Sequence, residues 1–377
     1  MVSRSEPTPL ALLLAEQIRS HGPITFAQYM EACLYHPVHG YYTKSDQHPR
    51  RDYFTSVDAS PLFGRLLARQ FHEMWNLLGR PELFWLVEVG AGAGHLAKQI
   101  LDCAAGPWPD FYRALHFVAV ERSAVRRALQ SQILDRDIQS GKFESQQELP
   151  AEIPCGCIFS NELIDAMPVH RVIRDSNDLR EIYVGLGKNG LCDEFGALSS
   201  NALKDYFSSQ GISLQEEQQA EINRHACHWI AEVGEKLKRG FVVTIDYGHE
   251  AHELYNELHM RGTALAYERH RATENIYRVP GEQDLTAHVN FSALDIYGQK
   301  SGLARTGFTS QCNFLLALAR HSNFADLQSE ELSEAEQTQR RLLFKTLINP
   351  EGMGETFQIL IQHKGIARPR LAGLEPL

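Results

Sequence analysis

The sequence predicts an α/β fold built on a parallel sheet covered on both faces, and three observations carry the prediction. Strand-like and helix-like segments alternate from Phe84 onward. The strand-like segments are apolar throughout rather than at every second position, as strands buried on both faces are. The first of them runs straight into "GAGAG" at 90–94, a tight backbone turn ahead of a helix.

Residues 1–84 read as an N-terminal helical region with an aromatic loop. "PLALLLAEQIRSHG" and "ITFAQYMEACLYHP" are helical, the second with Thr25 as N-cap. "GYYTKSDQHPRRDYFTS" is rich in turn residues. Within the stretch 41–56, Tyr41, Tyr42, Tyr53 and Phe54 either close over a ligand or pack the helices. Ser60-Pro61 opens a helix whose apolar positions run from Leu62 to Leu78, and Gly79 closes it.

Residues 85–377 read as the sheet domain, with insertions at about 168–238 and 249–300. "FWLVEV", "LHFVAVE", "CGCIFSN" and "GFVVTIDYG" are strands, and "GHLAKQILDCA" and "SAVRRALQSQIL" are the helices between them. "ETFQILIQHKG" reads as a last strand with "GLARTGFTS" as partner. In the first insertion "VHRVIRDSNDLREIYVGLGKNGLCDEF" is a β-hairpin, and residues 200–238 look helical. Residues 249–300 look long, aromatic and irregular, which suits a lid or substrate-binding segment.

Composition narrows the function. A net charge of −10 argues against non-specific nucleic-acid binding, which needs a basic footprint, and suits a cationic substrate. Seven scattered cysteines in so long a chain imply free thiols in a reducing compartment. Cys155 and Cys157 lack the spacing of a metal site. The apolar run Leu10–Ala15 is too short to span a bilayer, and no transit peptide is visible. A bacterial cytoplasmic protein is the simplest expectation, with the mitochondrial matrix the alternative for a eukaryotic one.

The glycine loop reads Glu88-Val-Gly90-Ala91-Gly92-Ala93-Gly94. A dinucleotide fingerprint spaces its glycines G-x-G-x-x-G and sets a pyrophosphate on the next helix. Here the spacing differs, and the Glu88 carboxylate would repel a phosphate. It would suit an ammonium or a sulfonium, and S-adenosyl-L-methionine carries both. Gly90, Ala91, Gly92 and Gly94 would take its amino-acid end. Glu121 ends the next strand, 27 residues past Gly94, where such a unit binds ribose, and Arg122 follows it.

"FSNELIDAMPVHRV" follows a buried strand and faces the same end of the sheet. Ser160 and Asn161 are candidates for adenine or ribose. Glu162 and Asp165 would share one face of a helical turn. Two carboxylates gripping a guanidinium would localise its charge and free one nitrogen for methylation. The alternative is a helix N-cap beside a solvated neighbour. In "QDLTAHVNF", Asp284 reads as an N-cap and His288 as a proton relay or a structural residue. Asp246-Tyr247-Gly248 would line the pocket floor, or Tyr247 would serve packing instead. His249 and His252 lack the order of a zinc motif, so no metal is expected.

Several blocks match one family in order from Gly22 to Leu360, among them "GPITFAQYM", "HPVHGYYT", "DYFTSVDASPLFG", "SNELIDAMPVHR" and "PGEQDLTAHVNFSAL". The chain resembles the mitochondrial complex I assembly factor 7 family of protein-arginine methyltransferases, also called MidA. The resemblance implies a Rossmann-like, seven-stranded class I methyltransferase sheet with S-adenosyl-L-methionine as donor. It also implies an arginine of a respiratory complex I subunit as acceptor. Ala91 and Ala93 stand where the family carries proline and arginine. A small-molecule methyltransferase and a non-catalytic assembly scaffold are the competing readings, and monomer and homodimer both stay open.

Overall fold

The computed structural model describes residues 7–43, 61–176, 178–268, 271–325, 327, 333–349 and 353–377. Tyr53, Phe54 and Ser60 lie outside them. The chain divides into two compact units, one of residues 54–163, 229–248 and 297–377, the other of 1–53, 164–228 and 249–296.

Among the described residues the first unit holds seven strands: β1 (Phe84–Val89), β2 (Leu115–Val120), β3 (Phe143–Gln146), β4 (Gly156–Asn161), β5 (Gly240–His249), β6 (Ala304–Ser310) and β7 (Phe357–Lys364). Their order across the sheet is β3-β2-β1-β4-β5-β7-β6. The first five are mutually parallel. β7 runs antiparallel to both of its neighbours. The apolar runs "FWLVEV" and "GCIFSN" are buried along almost their whole length, as strands covered on both faces must be.

Helices cover the faces. α1 (Pro61–Leu77) buries Leu62, Phe63, Leu66, Leu67, Phe71, Met74 and Trp75, the predicted stripe. Phe71 meets Phe159 of β4 with ring centroids 4.9 Å apart. α2 (His95–Ala105) follows the glycine loop, and α3 (Ala124–Ile133) starts at Ser123, whose hydroxyl accepts the Arg126 amide. Chain order reverses between β1 and β4, the switch point at which open α/β sheets bind ligands.

The second unit is antiparallel. Thr25 caps the helix Phe26–Tyr35 in a full capping box with Gln28, as the sequence predicted. The predicted hairpin is a three-stranded meander, His170–Asp175, Asp178–Gly187 and Gly190–Gly196. Residues 200–238 are not helical throughout. The segment Gln219–Ile222 is a strand paired with His170–Ile173. "QAEI" favours helix locally, but an open sheet edge offers hydrogen bonds that override propensity.

Residues 249–300 are also more ordered than expected. Leu265–Glu268, Arg271–Thr273 and Asp284–Thr286 form a small sheet, and a helix runs Phe291–Lys300. Strands of three or four residues are too short to show a period. Asp284 therefore sits in a strand and is no N-cap. Its carboxylate accepts the Tyr42 hydroxyl at 2.7 Å. Asn290 does the capping, accepting the Ala293 amide at 3.0 Å. Tyr41 and Tyr42 pack on the core of this unit.

Candidate active site

Parallel pairing sets the carboxyl ends of four strands side by side. Val89 pairs with Val120 and Ser160, and Asn161 with Ile245. Glu88, Glu121, Ser160, Asn161 and Asp246 consequently gather along one edge of the sheet.

The glycine loop needs its glycines. Gly90, Gly92 and Gly94 have φ of 77°, 55° and 88°, in the left-handed region. A Cβ at Gly90 would lie 2.9 Å from Leu163 Cδ1, and one at Gly94 2.8 Å from Leu134 Cδ1. The Gly90 amide donates to the Val120 carbonyl at 2.9 Å, which ties the loop to β2.

Glu121 pins the loop from the other side. Its Oε2 accepts the Gly92 amide at 2.9 Å and its Oε1 the Ser123 amide at 2.8 Å. Each oxygen keeps a second lone pair that a ribose hydroxyl could use. Arg122 is exposed, and its carbonyl accepts from Arg127. Gln130, which the sequence did not single out, is fully buried and donates to the Gly92 carbonyl at 2.7 Å. Its position inside an amphipathic helix gave no signal.

Glu88 is 4 % exposed, and among the described residues its Oε2 has no hydrogen-bond partner. Burial first, and Glu121 second, push its pKa up to about 8. A buried carboxyl lacking a partner is costly unless a cation completes it. The Ser160 hydroxyl and Asn161 Oδ1 are likewise buried without partners among the described residues. Three unmatched acceptors beside an acid-flanked glycine loop fit a ligand with an ammonium group and hydroxyls. They do not fit a diphosphate.

The acidic turn is not helical. Glu162 has φ of 52°, a left-handed conformation that costs a non-glycine residue about 1 kcal/mol. Its amide donates to Ile245 O at 3.0 Å, and the Leu163 amide donates to Asp246 Oδ2 at 3.2 Å. Asn161 Nδ2 donates to Glu162 Oε1 at 3.1 Å. The helix-face argument for Glu162 and Asp165 is thereby overturned. The chain bends at Glu162 because β5 captures both amides. Asp165 belongs to the second unit, where it is buried and its carbonyl accepts the Ala287 amide at 3.1 Å.

His288 lies in the second unit with His249 and His259. Ring centroids are 5.5 Å apart for His249–His288 and 5.6 Å for His249–His259. Burial, then His249 and His259, lower the His288 pKa to about 4. It is neutral at physiological pH and a poor proton acceptor, a state that suits a metal ligand. Sequence reading missed the trio because His259 and His288 are remote from His249 along the chain.

Residues 66–309 match the family "Putative S-adenosyl-L-methionine-dependent methyltransferase", well over half of the chain. The chain belongs to this family. It is an S-adenosylmethionine-dependent methyltransferase of class I fold, as the strand order above already indicates. A crystal structure of a Burkholderia thailandensis protein bound to S-adenosylhomocysteine is similar over 98 % of this chain and 97 % of that one. It has a TM-score of 0.85 and 29 % identity. A relative named protein arginine methyltransferase NDUFAF7, mitochondrial, from Rattus norvegicus is 27 % identical over 95 % of this chain and 85 % of its own length. The Drosophila melanogaster homolog is 27 % identical over 96 % and 86 %. Among the described residues no helix is long and apolar enough to cross a membrane.

Proposed function

We propose that the methyl group goes to an arginine side chain of a protein, and that the Glu162 carboxylate receives its guanidinium. One observation carries the reading. Glu162 is held in a strained backbone at the carboxyl end of β4, beside the cofactor strands, by two hydrogen bonds that β5 supplies. Strain of this kind persists where a side chain must be aimed, as at binding and catalytic sites.

The donor supplies a methyl group on a positively charged sulfur. Glu88 would neutralise the donor's ammonium and Glu121 accept its ribose hydroxyls, with Gly90, Ala91, Gly92 and Gly94 close to its amino-acid end. Ser160 and Asn161 would take adenine or ribose, and Arg122 would flank the ribose. Glu162 would accept guanidinium N–H bonds and hold the positive charge on the nitrogens facing it. The remaining nitrogen then has the lone pair, and its proton leaves to water after transfer. The names of the relatives support an arginine acceptor. The resemblance extends the proposal to a respiratory complex I subunit as the protein, and to the bacterial cytoplasm or mitochondrial matrix as the place.

The test is labelling of a lysate from cells lacking this protein, with labelled donor and purified enzyme, followed by mass spectrometry of the labelled band. Methylarginine is the expected product. Label only in small molecules, or on another residue type, would overturn the reading.

A further inference from the structure

We propose that His249, His259 and His288 form a binding site for a borderline transition-metal dication of the Zn2+ type. One ligand atom from each of the three residues lies within 4.8 Å of the others. All three belong to one compact unit.

The surroundings choose which nitrogen faces inward. His259 Nδ1 lies 3.1 Å from the Glu253 carbonyl oxygen. A carbonyl only accepts, so Nδ1 carries the proton and Nε2 keeps the lone pair. His249 Nδ1 lies 3.6 Å from the Glu253 carboxylate, a charge that favours a proton on that nitrogen. Glu253 thus fixes one imidazole through its main chain and sets its carboxylate near a second. Metal-binding histidines characteristically turn their second nitrogen to a carboxylate or carbonyl in this way.

The third ring is fixed through its backbone. The His288 amide donates to Thr263 Oγ1 at 3.1 Å. Thr263 is held in turn by Glu221, whose Oε2 accepts its amide at 2.9 Å and its hydroxyl at 3.0 Å. Asn256 caps the short turn that carries His259, accepting the Leu258 amide at 2.8 Å. The three rings therefore come from braced segments, and each ring is half-buried. Tetrahedral zinc with nitrogen ligands sets those nitrogens about 3.4 Å apart. Side-chain rotation of half-buried rings covers the difference from 4.8 Å.

Ligand chemistry selects the ion. Three neutral imidazoles with no oxygen donor among them suit Zn2+, Co2+ or Cu2+ and not Mg2+ or Ca2+. Three protein ligands leave the fourth position open, the arrangement in which a metal binds water or an external group. His288 would then serve as a ligand and not as a proton relay.

The experiment uses the full chain stripped with chelator and titrated with Zn2+ against a chromophoric competitor. About one ion per chain is expected. His259→Gln should weaken binding by more than about 100-fold, and Glu253→Gln by about 10-fold, as losing an outer partner does. His252→Gln, an exposed neighbour outside the trio, should bind as the parent does. S-adenosylhomocysteine binding checks that each variant is folded. Should His259→Gln fail that check, the visible spectrum of the Co2+-loaded parent stands in. Bands of four-coordinate nitrogen ligation support the site, and six-coordinate bands contradict it. No uptake by the parent, or equal uptake by a His249→Gln/His259→Gln double variant, overturns the proposal.

Discussion

Asp246 Oδ2 accepts the Leu163 backbone amide at 3.2 Å, tying the end of β5 to the turn that follows β4. Its Oδ1 accepts the Tyr247 amide at 3.0 Å, and the side chain is fully buried. Asp246 thus holds the bend that presents Glu162. Asp246→Ala leaves two amides without that acceptor and is expected to cost about 2–3 kcal/mol in denaturant unfolding. Asp246→Asn, which keeps one acceptor oxygen, should cost about 1 kcal/mol. Equal losses in the two variants would contradict the assigned role.

Glu162 separates stability from activity. Glycine adopts positive φ freely, so Glu162→Gly should raise stability by about 1 kcal/mol while removing the carboxylate. Methyl transfer to the arginine acceptor should fall by about 100- to 1000-fold in both Glu162→Gly and Glu162→Gln. Cofactor affinity should stay within a few-fold. Steady-state transfer rates and calorimetry with S-adenosylhomocysteine read the two effects apart.

Gly90 tests the loop. Alanine there meets an unfavourable φ and a 2.9 Å approach to Leu163 Cδ1. Gly90→Ala should lose about 1–2 kcal/mol of stability and at least about tenfold in cofactor affinity. Parent-like binding would show that the loop does not approach the ligand closely.

Glu88 couples folding to pH. Its pKa near 8 in the folded chain exceeds the ordinary value of 4.5, so the folded state binds more protons between those limits. The stabilisation from protonated Glu88 is complete below pH 4.5 and lost as pH rises through 8. The slope is at most about 1.4 kcal/mol per pH unit. Glu88→Gln stays neutral at every pH. Without cofactor it is expected to melt higher than the parent above pH 8, and a lower melt there would sink the assignment.

Legibility followed the range of the interactions. The parallel strands, the helix Pro61–Leu77 and the Thr25 cap were readable because burial on both faces and local capping leave marks within a few residues. The same holds for the glycine turn with Glu88, whereas Glu121, 29 residues from Gly92, was readable only as the end of the next strand. The bend at Glu162 was not readable, since β5 imposes it from more than 80 residues away. The strand Gln219–Ile222 was hidden by helix-favouring residues, and the histidine trio by sequence distance.

The most direct test of the cofactor nook is calorimetric titration of S-adenosylhomocysteine at pH 7 in buffers of different ionisation enthalpy, for the parent and Glu88→Gln. The parent should release close to one proton as the ligand's ammonium draws Glu88 into its charged form, and Glu88→Gln should release none and bind about 10- to 100-fold more weakly. Equal affinity and equal proton release in the two proteins would contradict the account.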